Sequence, residues 1–172
     1  QKQTINKEFP IFHFETFVFV QYKNAENEEV KILIDEKSKK ITIPLKHKIS
    51  FCIFDPRSSL PADVSIKFPE SFIKDIFEIK NKNESFFKYL AAKNICCYYN
   101  TKENFNLITN WLNEEESFRA RSAAYQMLSE KAAQFSFDIL NAIEEENPLA
   151  RPALISATAD SNSQNPKIIF DK

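Results

Sequence analysis

The complete absence of glycine is the feature that most restricts what this chain of 172 residues can fold into. Average usage is roughly 7%, so a chain of this length would ordinarily carry about 12 glycines. Loops that press backbone N–H groups against a phosphate need residues without a Cβ atom. The sequence therefore lacks the P-loop, the dinucleotide-binding fingerprint, the nucleophile elbow, the kinase glycine-rich loop and the EF-hand turn. Asparagine, aspartate or lysine must make the tight hairpin turns instead.

Composition predicts a folded protein in a reducing compartment. The chain is 43% hydrophobic, contains 17 phenylalanines and carries a net charge of −1, which supports a core and does not indicate a polyanionic partner. Its three cysteines are Cys52, Cys96 and Cys97, and adjacent cysteines rarely pair because the ring is strained. No apolar stretch has transmembrane length and no signal-peptide pattern is visible. We therefore expect reduced thiols and a cytoplasmic location, without membrane contact.

The first part of the chain predicts an antiparallel sheet of about five strands. Aromatic and β-branched residues dominate from Ile11 to Tyr22 and are apolar on both alternating faces, which predicts a central strand covered on both sides. The other strands are predicted from alternating apolar residues over 30–35, 41–45, 49–54 and 63–68. Short connections between them favour an antiparallel meander.

After Phe68 the apolar period changes from two to 3.6, which predicts helices. Pro69 suits a first helical turn, Asn83 can cap a second helix, and Thr101 begins a third. The β-rich run Ile95–Tyr99 favours a last strand. The fold class predicted is thus α+β, with an N-terminal antiparallel sheet followed by short helices and one long C-terminal helix.

The long helix is predicted over 114–146. Asn113 followed by three glutamates is a helix-start signature, and Pro148 ends the helix. Its apolar residues recur in steps of three and four, as in a coiled-coil seam; they are Tyr125, Leu128, Ala132, Phe135, Ile139 and Ala142. Two interpretations of this seam stay open: a core helix packed on the sheet, or an interface with a partner or a second copy.

The domain organisation follows from these segments. We expect a frayed N-terminus over 1–9, then one α+β domain over 10–147 that is β-rich over 10–68 and helical over 69–147. Residues 148–172 contain Ser, Asn, Thr and prolines and predict a flexible tail. Its apolar end, Ile168-Ile169-Phe170, has three possible roles: it adds to a partner's sheet or groove, docks on its own domain, or stays disordered.

The sequence contains few residues of the types that usually carry catalysis. The only histidines are His13, within an apolar strand, and His47, between two lysines. They have no zinc-ligand spacing with the cysteines. Cys52 lies among apolar residues, which favours an inert thiol. The sequence therefore predicts no catalytic, cofactor-binding or metal-binding residue and a protein that is not an enzyme.

The leading functional hypothesis is a non-enzymatic protein–protein interaction domain, such as an adaptor, an assembly component or an inhibitor/immunity-type binder. Its partner would be another protein or a second copy, contacted through the long helix and the tail. The predicted interface residues are Tyr125, Leu128, Phe135, Ile139, Ile168, Ile169 and Phe170.

Two alternatives belong to other classes. An accessory nucleic-acid-binding domain would use a lysine-rich hairpin beside aromatic rings, with contacts from Lys37, Lys39, Lys40, Lys46 and Lys48. The competing interpretation is that these lysines protect exposed sheet edges. A small-molecule sensing domain, with an aromatic pocket between sheet and helices, is the weaker alternative.

Overall fold

The structure is a computed structural model that describes residues 13–60, 64–80, 84–131 and 146–161. Internal contacts divide the chain into two compact units, unit 1 over Gln1–Ile66 and unit 2 over Lys67–Lys172. The described strands all lie in unit 1 and the described helices in unit 2, in agreement with the predicted α+β class. The single domain over 10–147 stays a prediction, and the frayed terminus over 1–9 lies outside the described residues.

Unit 1 is built on an antiparallel sheet with the strand order β2-β1-β3. The strands are β1 (Phe14–Tyr22), β2 (Asn27–Ile34) and β3 (Ile49–Phe54). Val18 of β1 lies opposite Val30 of β2 and Phe54 of β3. Because side chains alternate between faces, the burial of both Phe19 and Val20 shows that β1 is covered on both sides. The predicted central strand is therefore confirmed.

One core cluster of unit 1 lies on the even-numbered face of β1. Val18, Val20 and Tyr22 are buried there with Ile32 of the neighbouring strand, and Ile43 packs against them from the segment after β2. This segment is held by the Tyr22 hydroxyl, which donates to Glu28 and accepts from the Lys46 amide at 3.3 Å.

The prediction of about five strands is wrong: the described part of the chain has three. Residues 41–45 are irregular because Pro44 has no amide hydrogen to donate to a ladder. Residues 64–68 are also irregular, and side chains from further along the chain bind the backbone of Phe68. The Phe68 amide donates to Asn94 Oδ1 at 2.8 Å, and its carbonyl accepts from the Tyr99 hydroxyl at 2.6 Å.

Five helices are described in unit 2. They are α1 (Glu70–Glu78), α2 (Glu84–Tyr98), α3 (Lys102–Glu114), α4 (Phe118–Lys131) and α5 (Arg151–Ser161). Helix α2 buries Phe87, Ala91 and Ile95 at helical spacing and packs on α1, α3 and α4. Thr101, the predicted start of the third helix, caps α3, with its hydroxyl accepting from the Asn104 amide at 3.2 Å. The predicted cap Asn83 lies outside the described residues.

Three predictions about the helical part need correction. Most of Ile95–Tyr99 belongs to α2 rather than to a strand, because Ile95 continues its buried face. The predicted long helix over 114–146 is interrupted: α3 ends at Glu114 and α4 begins at Phe118, while residues 132–145 lie outside the description. The predicted flexible tail contains α5, which packs against α4 and buries Leu154.

Candidate functional site

An open groove of about 730 Å³ lies in unit 2 where the first turns of α2 face the junction between α3 and α4. We call it the acidic groove. It is lined by Lys80, Glu84, Ser85, Lys88, Trp111, Glu114, Glu115, Glu116 and Ser117. Its volume falls within the range of about 300–1,000 Å³ that is usual for ligand sites.

Glu115 organises the groove and interrupts the helix. Its extended backbone (φ −74°, ψ 116°) ends α3, and its Oε1 accepts the Ser117 amide at 2.9 Å. Ser117 then caps α4 by accepting the Ala120 amide at 3.4 Å. The indole of Trp111 donates to Glu115 Oε2 at 2.7 Å, and the Ser85 hydroxyl donates to the same carboxylate. The Glu115 side chain thus fixes the junction by accepting hydrogen bonds from Ser117 ahead of α4, from Trp111 of α3 and from Ser85 of α2.

These donors determine the charge state of Glu115. Burial alone would favour the neutral acid, but the donors from Ser117, Ser85 and Trp111, with the nearby Lys88 ammonium, lower the pKa of the carboxyl group. Glu115 is therefore ionised at neutral pH. Because protein groups already donate to both its oxygens, its role is to hold the groove in shape rather than to accept a substrate proton.

The rim of the groove carries the charge that a partner meets. Glu114 and Glu116 are exposed on either side of Glu115. On the α2 side, the Lys88 ammonium lies 3.9 Å from Glu84. The lining as a whole contains four carboxylates and two ammonium groups, an excess of two negative charges that faces an open space. Such a surface attracts a cation.

An ion pair with little exposure lies next to the α3–α4 junction. Arg121 of α4 donates from Nε and Nη2 to Glu146 at 2.7–3.0 Å, and its Nη1 donates to the Glu115 carbonyl. The Tyr125 hydroxyl donates to Glu146 Oε2 at 2.8 Å. Burial would raise the pKa of Glu146, but the donors from Arg121 and Tyr125 lower it. This network ties the α3–α4 junction to the chain just before α5.

The groups that line the groove are carboxylates, ammonium groups, hydroxyls and one indole. Both histidines of the sequence lie in unit 1, so the groove has no imidazole base. Within the four described ranges, no group of three or more His, Cys, Asp or Glu side chains could hold a metal ion. The groove has a defined shape, one tryptophan and an excess of carboxylates. These features suit binding.

The predicted interface residues are only partly described. Tyr125 and Leu128 are 4% and 6% exposed, and Tyr125 bonds Glu146, so both contribute to the interior of unit 2. Phe135, Ile139, Ile168, Ile169 and Phe170 lie outside the described residues.

The five predicted nucleic-acid lysines are all exposed in unit 1. Lys39 is paired with Asp35 and Lys46 with Glu28. The hydrogen bond from Lys46 and that from the Tyr22 hydroxyl lower the pKa of the Glu28 carboxyl. Acidic neighbours thus pair with Lys39 and Lys46, and the structure does not show Lys37, Lys39, Lys40, Lys46 and Lys48 as one set of free cations.

Sequence reasoning missed Glu115 and Glu146 as organising residues. The three glutamates Glu114–Glu116 are predicted to start a helix, and Glu146 is predicted only as the last residue of that helix. In the structure Glu146 is 8% exposed. The one local signal was the tryptophan four residues before Glu115, a donor that reaches an acid across one helical turn.

None of the described helices is long and apolar enough to cross a membrane. No protein-family model, no curated protein sequence and no solved structure matches this chain.

Proposed function

We propose that this chain is a non-enzymatic protein-interaction domain whose acidic groove binds a basic segment of another protein. The observation that carries the proposal is the pre-formed groove at the α3–α4 junction, with an excess of two negative charges over a buried tryptophan. An adaptor or inhibitor role, in the cytoplasm, belongs to the same proposal.

The basic character of the partner follows from the different roles of Glu115 and of the two glutamates beside it. Glu115 is saturated by Trp111, Ser117 and Ser85, so it maintains the shape of the groove. Glu114 and Glu116 point into solvent around it and are available to lysine or arginine side chains. Rim charges of this kind increase the association rate and select partners by charge.

A peptide fits this site better than a small apolar ligand. The groove is open and polar, whereas small-molecule sites are mostly enclosed and apolar. A peptide can place two or more cations along an open groove at once.

The experiment is a titration of the full chain with a lysine–alanine peptide, followed by the emission of Trp111, the only tryptophan. We expect saturable binding that weakens as salt is raised, because salt screens the exposed rim charges. Glu114→Lys/Glu116→Lys should weaken binding by about 2 kcal/mol in total, or about thirtyfold in Kd.

The matched control is Glu78→Lys/Glu103→Lys, which makes the same change in net charge at exposed positions outside the groove. It should bind the peptide like the wild type. Equal loss in both double variants, or no binding at low salt, would contradict the proposal. Saturable binding of spermidine with none of the peptide would replace it with a small-molecule function.

A further inference from the structure

Strand β2 forms an edge of the sheet in unit 1. It pairs with β1 on one side, and nothing in the described part of the chain pairs with its other side. The outer N–H and C=O groups of an edge strand are a template for a further strand. Along this edge Glu29, Lys31 and Leu33 are exposed on one face, and Leu33 retains 42% of its accessible surface.

We infer that β2 pairs antiparallel with β2 of a second copy, in the register that places Val30 opposite Val30. The two-fold axis of such a pair is perpendicular to the sheet, so residues directly opposite each other lie on the same face. This register places Glu29 of each copy opposite Lys31 of the other. Two cross-strand ion pairs form on one face, flanking the axis.

The same charges exclude the neighbouring registers. A register centred on Lys31 places the two lysines opposite each other and Glu29 opposite Leu33. A register centred on Glu29 places two carboxylates opposite each other. Like charges directly opposite are destabilising, whereas opposite charges are favourable. The charges that keep this edge from pairing indiscriminately are therefore complementary in one alignment only.

The charged residues are available for this exchange. Lys31 lies 2.8 Å from Glu15, but both side chains are more than half exposed, and exposed ion pairs contribute little to stability. Glu29 contacts Arg57; the Arg57 side chain is 57% exposed and the Glu29 side chain 29% exposed, so pairing exchanges this contact for the one to Lys31. Pairing would create one continuous sheet of order β3-β1-β2-β2-β1-β3. The inference concerns unit 1 alone and does not depend on the acidic groove.

The test is sedimentation velocity of the full chain over a concentration series. We expect a concentration-dependent dimer for the wild type and at least tenfold weaker dimerisation for both Lys31→Glu and Glu29→Lys. An equal mixture of these two variants should recover the dimer, because one chain then carries carboxylates at both positions and the other carries ammonium groups at both. The double variant Glu29→Lys/Lys31→Glu should recover it alone, since the exchange preserves both cross-strand ion pairs.

Lys48→Glu is the control for net charge, since Lys48 is exposed outside β2, and it should dimerise like the wild type. Circular dichroism confirms that each variant is folded. A wild type that stays monomeric at all concentrations overturns the inference. Single variants that dimerise normally overturn it too, as does a mixture of the two folded single variants that stays monomeric.

Discussion

Both units use a buried carboxylate to fix a change of chain direction without glycine, but the two carboxylates reach over very different distances in sequence. In unit 1, Asp55 has a positive φ of 49° and follows β3. Its side chain accepts the Ser59 amide at 2.9 Å and the Leu60 amide at 3.1 Å. One distant donor, the Thr16 hydroxyl of β1, completes the set at 2.8 Å. The turn is thus mostly fixed by its own neighbours.

In unit 2, Glu146 takes its side-chain donors from far along the chain. Arg121 and Tyr125 precede it by 25 and 21 residues, and only the Asn147 amide is local, at 2.7 Å. The comparison teaches that a sheet turn can be fixed by a local motif, whereas packing of helices depends on side chains brought together by the fold. The two units should therefore respond differently when the anchoring carboxylate is removed.

Glu146→Ala should cause the largest loss. It leaves the Arg121 guanidinium, whose side chain is 16% exposed, without its carboxylate. Removing one partner of a buried ion pair costs about 3–5 kcal/mol. Urea unfolding followed by Trp111 emission measures this in unit 2. The control is the double variant Glu146→Ala/Arg121→Met. Its loss of unfolding free energy should be smaller than the sum of the losses in Glu146→Ala and Arg121→Met. Additive losses would show that the pair is not coupled.

Removing the local anchor should cost less. Asp55→Asn keeps a residue type that tolerates positive φ but weakens the charge-assisted hydrogen bonds, so we expect a loss of about 2 kcal/mol. Asp55→Ala should lose about 1 kcal/mol more, because alanine disfavours the left-handed region. Hydrogen exchange at the amides of β1 and β3 measures the effect in unit 1. Equal losses for both variants would show that the backbone conformation of Asp55 is not costly.

This difference explains which parts of the fold the sequence could predict. The density of aromatic and β-branched residues located β1, and alternating apolar residues located β2 and β3, since a period of two reports burial directly. The prediction of a strand over 41–45 was wrong, although Pro44 is a local signal against a strand there.

The candidate site was far less predictable. A helix start was predicted where α3 ends, because Asn113 and the three glutamates satisfy the capping pattern on their own. Apart from the position of Trp111 four residues earlier, nothing in the local pattern shows that Glu115 accepts from Trp111 and Ser117, or that its carbonyl accepts from Arg121. The donors from Trp111 and Ser117 are close in sequence, whereas the Ser85 hydroxyl comes from α2 and is brought to Glu115 only by the fold. The acidic groove is a consequence of that interruption.

Acid should weaken unit 2 through its two anchoring carboxylates. The folded-state pKa values of Glu115 and Glu146 are both lowered, burial being outweighed by their hydrogen-bond donors. Such groups contribute stability that is present above the unfolded pKa of about 4.3 and is lost as pH falls through the folded values. Each of the two carboxylates adds at most about 1.4 kcal/mol per pH unit to the slope of the unfolding free energy against pH.

The measurement is the Trp111-detected free energy of unfolding between neutral pH and acid. Glu146→Gln should show a shallower loss than the wild type below about pH 4.3, because one of the two carboxylates no longer titrates. Glu103→Gln, at an exposed position of α3, should keep the wild-type slope. The same slope in Glu146→Gln and the wild type would contradict the assigned role of Glu146.

The smallest expected effect concerns backbone positions with positive φ, where glycine would ordinarily be favoured. In the described ranges, the residues with positive φ are Ala25, Asp55 and Ser58, all in unit 1. Ala25 has φ 69° between β1 and β2, where its Cβ atom costs about 1–2 kcal/mol. Ala25→Gly relieves that strain but increases the entropy of the unfolded chain by about 0.4–1 kcal/mol. We expect a net gain of about 0.5–1 kcal/mol, measured by hydrogen exchange in β1.

The matched substitution in unit 2 is Ala123→Gly, at an exposed position inside α4. It should destabilise unit 2 by about 1 kcal/mol, because glycine loses more backbone entropy than alanine on entering a helix and relieves no strain there. Opposite signs at the two positions would show that the turn after β1 holds its alanine at a cost. If both substitutions destabilise, the turn at Ala25 is not strained, and the absence of glycine costs unit 1 no stability at this position.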